Sequence, residues 1–105
     1  MIFDLRIYTI KNGKMNAWLA LYEKHAYPVQ LRYLGKPVMF STSEIGPLNQ
    51  VVHLWAYEDL TEREKKRNAM QQDPEWNVYL KMNAEAAYIQ DQENRILRST
   101  PFSPL

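Results

Sequence analysis

The stretch Gln50-Val51-Val52-His53-Leu54-Trp55-Ala56-Tyr57 decides the fold. Side chains alternate in direction along an extended chain, so Val51, His53, Trp55 and Tyr57 share one side and Val52, Leu54 and Ala56 the other. Neither side reads as solvent-facing, and a strand apolar on both sides is covered on both sides. This segment therefore belongs at the centre of a sheet. Just before it, Ile45-Gly46-Pro47-Leu48-Asn49 carries turn chemistry. Lys36 to Glu44 reads as a further strand, with Val38, Phe40 and Thr42 opposite Met39 and Ser41. Two strands joined by about five turn residues make a hairpin.

Upstream, Met1 to Ile10 alternates in the same way, placing Phe3, Leu5, Ile7 and Thr9 opposite Asp4, Arg6, Tyr8 and Ile10. Lys11-Asn12-Gly13 is a turn, with Asn12 available as a cap. From Lys14 the period becomes helical, and Met15, Trp18, Leu19, Tyr22 and Ala26 form an apolar stripe. Pro28 is expected to break this helix and to open a second piece that runs to Leu34 and stops at Gly35. Downstream, Thr61 and Glu64 read as a capping box, and Glu62 pairs with Lys66 one turn on. Asp73-Pro74 starts another helix, with Trp76, Tyr79, Leu80 and Ala87 along one side. The last strand is expected within Ala87 to Arg98. The tail from Ser99 to Leu105, with two prolines, is extended and carries apolar anchors.

The order is β-α-β-β-α-β, the ferredoxin-like α+β arrangement, with a four-stranded antiparallel sheet and helices on one face. The 105 residues suit a single domain spanning 1–105. Because two helices cover only one face, the other needs a cover of its own. A second copy of the chain, a homodimer through the sheet face, is the simplest one.

Thirteen basic and twelve acidic residues leave a net charge of +1, which offers nothing for nucleic acid, whose binding rests on many phosphate contacts. The run Thr61-Glu62-Arg63-Glu64-Lys65-Lys66-Arg67 mixes both signs and reads as a solvated helix face. With no cysteine, disulfides, thiolate catalysis and cysteine-ligated zinc are excluded. No uncharged apolar run approaches the roughly 20 residues of a membrane helix.

Several stretches together resemble the NIPSNAP family. They are Phe3 to Ile10, Gly35-Lys36, Ser43-Glu44-Ile45-Gly46-Pro47-Leu48-Asn49-Gln50-Val51-Val52-His53-Leu54-Trp55-Ala56-Tyr57, Asp73-Pro74-Glu75-Trp76, Gln92 to Leu97, and Thr100-Pro101-Phe102-Ser103-Pro104. The resemblance implies a dimeric α+β barrel in which the sheets of two protomers face each other. It brings no settled catalytic residues. The chain begins directly at its first strand, so the expected location is the cytoplasm of a bacterium rather than the mitochondrion of the larger animal members.

No GxGxxG, P-loop, HExxH or GxSxG motif is present. The candidate acid/base groups are His53 and His25, the only side chains that ordinarily titrate near neutrality. His53 shares its strand face with Trp55 and Tyr57, two and four residues on, which suits either a pocket wall or a satisfied core histidine. His25 lies near the expected helix end at Pro28, where the helix dipole favours a cation. Arg6, Tyr8, Trp55, Tyr57 and Glu44 are the candidate ligand-binding residues. An Arg–carboxylate pair is the expected fate of charge inside a covered sheet. Two histidines without metal-binding spacing supply no metal site, and no cofactor is expected. Two functions of different class follow. One is a small-molecule site in a pocket between sheet and helices, for a binding module or a cofactor-free oxygenase or isomerase. The alternative is a non-enzymatic interaction module acting through its folded surface, which requires an exposed apolar patch and no sizeable cavity.

Overall fold

The computed structural model describes residues 1–105. In chain order its elements are β1 (Ile2–Ile10), α1 (Met15–Leu21), a π-helical turn (Tyr22–Ala26), α2 (Tyr27–Leu34), β2 (Met39–Thr42), β3 (Gln50–Tyr57), α3 (Leu60–Gln71), α4 (Pro74–Ala86) and β4 (Ile89–Arg98). The strands form one antiparallel sheet in the order β2-β3-β1-β4, the ferredoxin-like arrangement with β1 and β3 at its centre. No helix is long and apolar enough to cross a membrane.

The barrel implied by the resemblance is not there. β2 and β4 each pair on one side only and never meet, so the sheet is open at two edges. β2 is four residues long, and a closed barrel filled by its own side chains takes about eight strands.

Pro28 does not break the first helix. It has no N–H to donate to the preceding turn, and the chain absorbs this by widening into the π-helical turn at Tyr22–Ala26 before α2 resumes. His25 consequently lies inside a continuous helical run, not at a helix end. The expected capping box also shifts. α3 starts at Leu60, so Asp59 is the cap and accepts from the Glu62 N–H at 2.8 Å, while Glu62 accepts from the Glu58 N–H. At α4 Asp73 caps as expected, accepting from the Glu75 N–H at 2.8 Å. Ala87 ends that helix in the left-handed region, which delays β4 to Ile89.

The two faces of the sheet are the reverse of what hydrophobicity along β1 suggests. In register, Asp4 lies opposite Trp55, Arg6 opposite His53 and Tyr8 opposite Val51. This polar and aromatic face is the one the helices cover, with Trp18, Tyr22, Met70, Trp76 and Tyr79 packed onto Tyr8, Trp55 and Tyr57. The more uniformly apolar face, with Leu5, Ile7, Val52, Leu54 and Ala56, is only half-buried, and Met39 and Leu97 beside it are exposed. The tail touches a corner of it, where Phe3, Leu54 and Leu97 line a cleft with Ser99, Thr100 and Leu105.

Candidate functional site

Placing Asp4 beneath the helices obliges the fold to neutralise it, because a buried carboxylate without partners is very costly. Its side chain is 1% exposed. Oδ2 accepts from Arg6 Nη1 at 3.2 Å and from Arg63 Nε and Nη2, each at 3.1 Å. Asn94 Nδ2 approaches Oδ1 at 3.5 Å. This is the expected Arg–carboxylate pair, with a second arginine added from α3. Arg6 then turns its Nε–H to the Tyr8 hydroxyl oxygen at 3.0 Å, which leaves the Tyr8 O–H free to donate.

His53 is fully buried, in contact with the rings of Tyr8, Phe40 and Trp55. Its Nδ1 accepts from the Trp55 indole N–H at 2.8 Å. The neutral ring therefore carries its proton on Nε2, and that N–H has no partner. Burial, followed by the charges of Arg6 and Arg67, pushes the His53 pKa down to about 3, with Asp4 opposing. A histidine so depressed is uncharged at neutral pH and takes up no proton there.

Beside this cluster lies a half-open chamber of about 200 Å³ between the sheet and the helices. Arg6, Tyr8 and Gln92 form its floor, and Tyr22, Gln30, Arg67, Gln71, Trp76, Tyr79 and Asn83 are among the helix residues that wall it. Tyr22 donates to Gln30 Oε1. Burial pushes the Tyr22 and Tyr79 phenols above their ordinary value, so both stay protonated and act as donors. Arg67 enters none of the six ion pairs. No carboxylate lines the chamber.

Of the sequence candidates, Arg6 and Tyr8 reach the chamber. His53, Trp55 and Tyr57 share their face but lie sealed in the core, outside the chamber lining. Glu44 is exposed in the β2–β3 loop. His25, although it lies between Tyr22 and Gln30 in the sequence, is half-buried in a separate cleft with Lys24, Pro28, Glu75 and Val78. Sequence reasoning missed the helix residues. Tyr22 and Tyr79 passed as core stripe, and Arg67 as part of a solvated run. The sequence held no clear signal for Arg67, since Glu64 three residues before it offers an acid at helical spacing.

Fold and site together define an α+β protein with one open apolar sheet face and a polar chamber under its helices. The chain belongs to the NIPSNAP family, whose model matches residues 3–104. It is 30% identical to the human protein NipSnap homolog 3A over 100% of its own length and 42% of that relative's. With NipSnap homolog 2 of Danio rerio it shares 36% identity over 99% of the chain and 35% of the relative. The chain thus spans less than half the length of these curated relatives. Among solved structures, a NIPSNAP family protein of unknown function from Agrobacterium tumefaciens superposes with a TM-score of 0.89 at 36% identity, covering 100% of this chain and 93% of that one. An uncharacterized NIPSNAP domain protein from Burkholderia xenovorans gives 0.88 at 29% identity, covering 99% of both chains. An antibiotic biosynthesis monooxygenase, at 0.65 and 14% identity over 96% of this chain and 100% of its own, shares the fold alone.

Proposed function

We propose that the chain binds a small molecule in the chamber between sheet and helices. The observation that carries this is the set of groups left over there. The Tyr8 and Tyr79 hydroxyls line the space without donating to any group of the chain, Arg67 lines it without an ion pair, and the Asn83 Oδ1 in the same lining is buried without a partner. Buried polar groups kept for structure alone are ordinarily satisfied internally. A chamber of this kind also weighs against a pure interaction module, which needs no such space. Arg6 and Tyr8 orient the ligand, and His53, with Trp55 and Tyr57, stiffens the wall behind them. Any proton transfer on the ligand runs through the chamber's own hydroxyls, because His53 is neutral and sealed.

A plug tests this. Gln71 is exposed at the chamber's rim, and Gln71→Trp fills the space from outside the core. Thermal unfolding is measured against a library of small metabolites. A ligand at 100 times its Kd stabilises by about 2.7 kcal/mol, or roughly 10 °C or more for a domain of this size. Wild type is expected to show such a shift with at least one compound, and the plugged variant with none. Equal shifts in both proteins, or none in wild type across the library, overturn the proposal.

The same proposal includes self-association through the open face, supported by Leu5, Ile7, Val52, Leu54 and Ala56, which the helices leave half-exposed. Leu54→Asp is expected to turn a dimer into a folded monomer, read by light scattering and far-UV circular dichroism. A wild-type monomer at tens of micromolar would refute the pairing. The absence of cysteine accords with a reducing compartment such as the cytoplasm.

A further inference from the structure

We infer that the ligand of the chamber is a small carboxylate, its anionic end held by Arg67 and Arg6 and its body lying against Trp76 and Leu80. The inference rests on the chamber being a binding site, and adds the chemical class of what enters it.

Charge comes first. Around the polar sheet face stand three guanidiniums, those of Arg6, Arg63 and Arg67, and one carboxylate, that of Asp4. Asp4 is already shared by Arg6 and Arg63 and does not line the chamber. Arg67 faces the chamber without a counter-charge, so the space is electropositive with nothing in the chain to neutralise it. A cation would meet two guanidiniums and no carboxylate there.

The donors agree. A guanidinium offers parallel N–H groups that match the two oxygens of a carboxylate. The Tyr8 oxygen already accepts from Arg6, which leaves its O–H to give, and burial holds the Tyr79 phenol as a donor at the same wall; the Gln30 acceptor is occupied by Tyr22, while Asn83 Oδ1 is an unpartnered acceptor available to the rest of the ligand. Phosphate is a poorer match: it is commonly cradled by successive backbone N–H groups at glycine-rich turns or helix ends, whereas this lining is made of side chains and contains no glycine. Size sets the rest. At about 30 Å³ per water-sized group, the 200 Å³ chamber holds about six or seven of them, and Trp76 and Leu80 offer apolar surface to the part of the ligand away from the arginines.

The test uses matched fragments of equal shape and different charge: propionate against propionamide, and isobutyrate against isobutyramide, with inorganic phosphate as a third arm. Nitrogen-15 spectra of the full chain at pH 7 follow the Arg6 and Arg67 Nε–H and the Trp76 indole N–H. The carboxylates are expected to bind at least tenfold more tightly than their amides. Arg67→Gln is expected to remove most of that tenfold preference, Arg6 alone retaining the rest, and Arg67→Lys to restore part of it. Amides binding as well as carboxylates would overturn the carboxylate assignment and leave the chamber a binding site. Phosphate binding more tightly than any carboxylate would do the same. Shifts from none of the probes at Trp76, Arg6 and Arg67 would overturn both proposals together.

Discussion

Replacing Asp4 with Asn is expected to destabilise the protein by about 3 kcal/mol, the lower end of the range for removing one partner of a buried ion pair. Asp4 is the single counter-charge shared by Arg6 and Arg63, at 3.1–3.2 Å from each. Without it, two guanidiniums converge on a neutral amide whose NH2 group offers them donors in place of acceptors. The effect stays at the lower end because the Arg6 and Arg63 side chains keep 18% and 23% of their exposure and regain some hydration. Urea unfolding measures it, as a lowered midpoint with an unchanged slope. Glu93→Gln is the contrast. Its exposed pair with Arg95, at 2.8 Å on the outer strand, is expected to matter by less than about 1 kcal/mol. Similar losses in the two variants would mean that the Asp4 network is not an internal charge cluster.

Lowering the pH is expected to cost stability through His53 well before the carboxylates titrate. In the unfolded chain this histidine takes up a proton near pH 6.5; in the folded chain it does so at about 3. Between those values the unfolded state binds a proton that the folded state refuses. The stability contributed by His53 is therefore complete above pH 6.5 and falls as the pH drops toward 3. The slope is about 1.4 kcal/mol per pH unit, so roughly 2 kcal/mol is lost between pH 6.5 and 5. The folded imidazole resists the proton first because it is buried among Tyr8, Tyr22 and Phe40, then because the charges of Arg6 and Arg67 outweigh that of Asp4, and the Trp55 N–H occupies its one acceptor. His53→Gln retains an acceptor for Trp55 without a titrating group. It is expected to start less stable than wild type and to show a flatter dependence from pH 7 to 5. Parallel pH profiles for the two proteins would show that His53 titrates alike folded and unfolded.

The element order was legible in the sequence because the hydrophobic period changes cleanly at Lys14 and because Gly46-Pro47 separates two alternating runs. The ends of β3 were read to the residue, since turn chemistry stops at Asn49 and the alternating run closes at Tyr57. The sidedness of the sheet was not legible. Asp4, Arg6 and Tyr8 alternate with Phe3, Leu5 and Ile7 in the pattern of a strand with a wet face and a dry one. The apparently wet face is the interior. What reverses it is a set of distant partners: Arg63 neutralises Asp4, and Trp18, Tyr22 and Tyr79 bring aromatic surface over Tyr8 and His53. Of these only Trp18 follows β1 closely in sequence. The barrel expectation failed for a different reason, since a resemblance speaks of assemblies while the pairing within one chain ends at β2 and β4. Half of the site was visible as Arg6 and Tyr8. The other half sits on helices, where Tyr22 and Tyr79 follow the apolar stripe and only their hydroxyl ends mark them as anything more.

Native mass spectrometry of protein purified without added ligand, wild type beside Gln71→Trp, tests the central claim most directly. The expected result is a reproducible extra mass on the wild type, small enough for a 200 Å³ chamber, that is missing from the plugged variant. Two spectra at the bare chain mass, or the same adduct on both proteins, would contradict the claim that the space beneath the helices is where this protein meets its ligand.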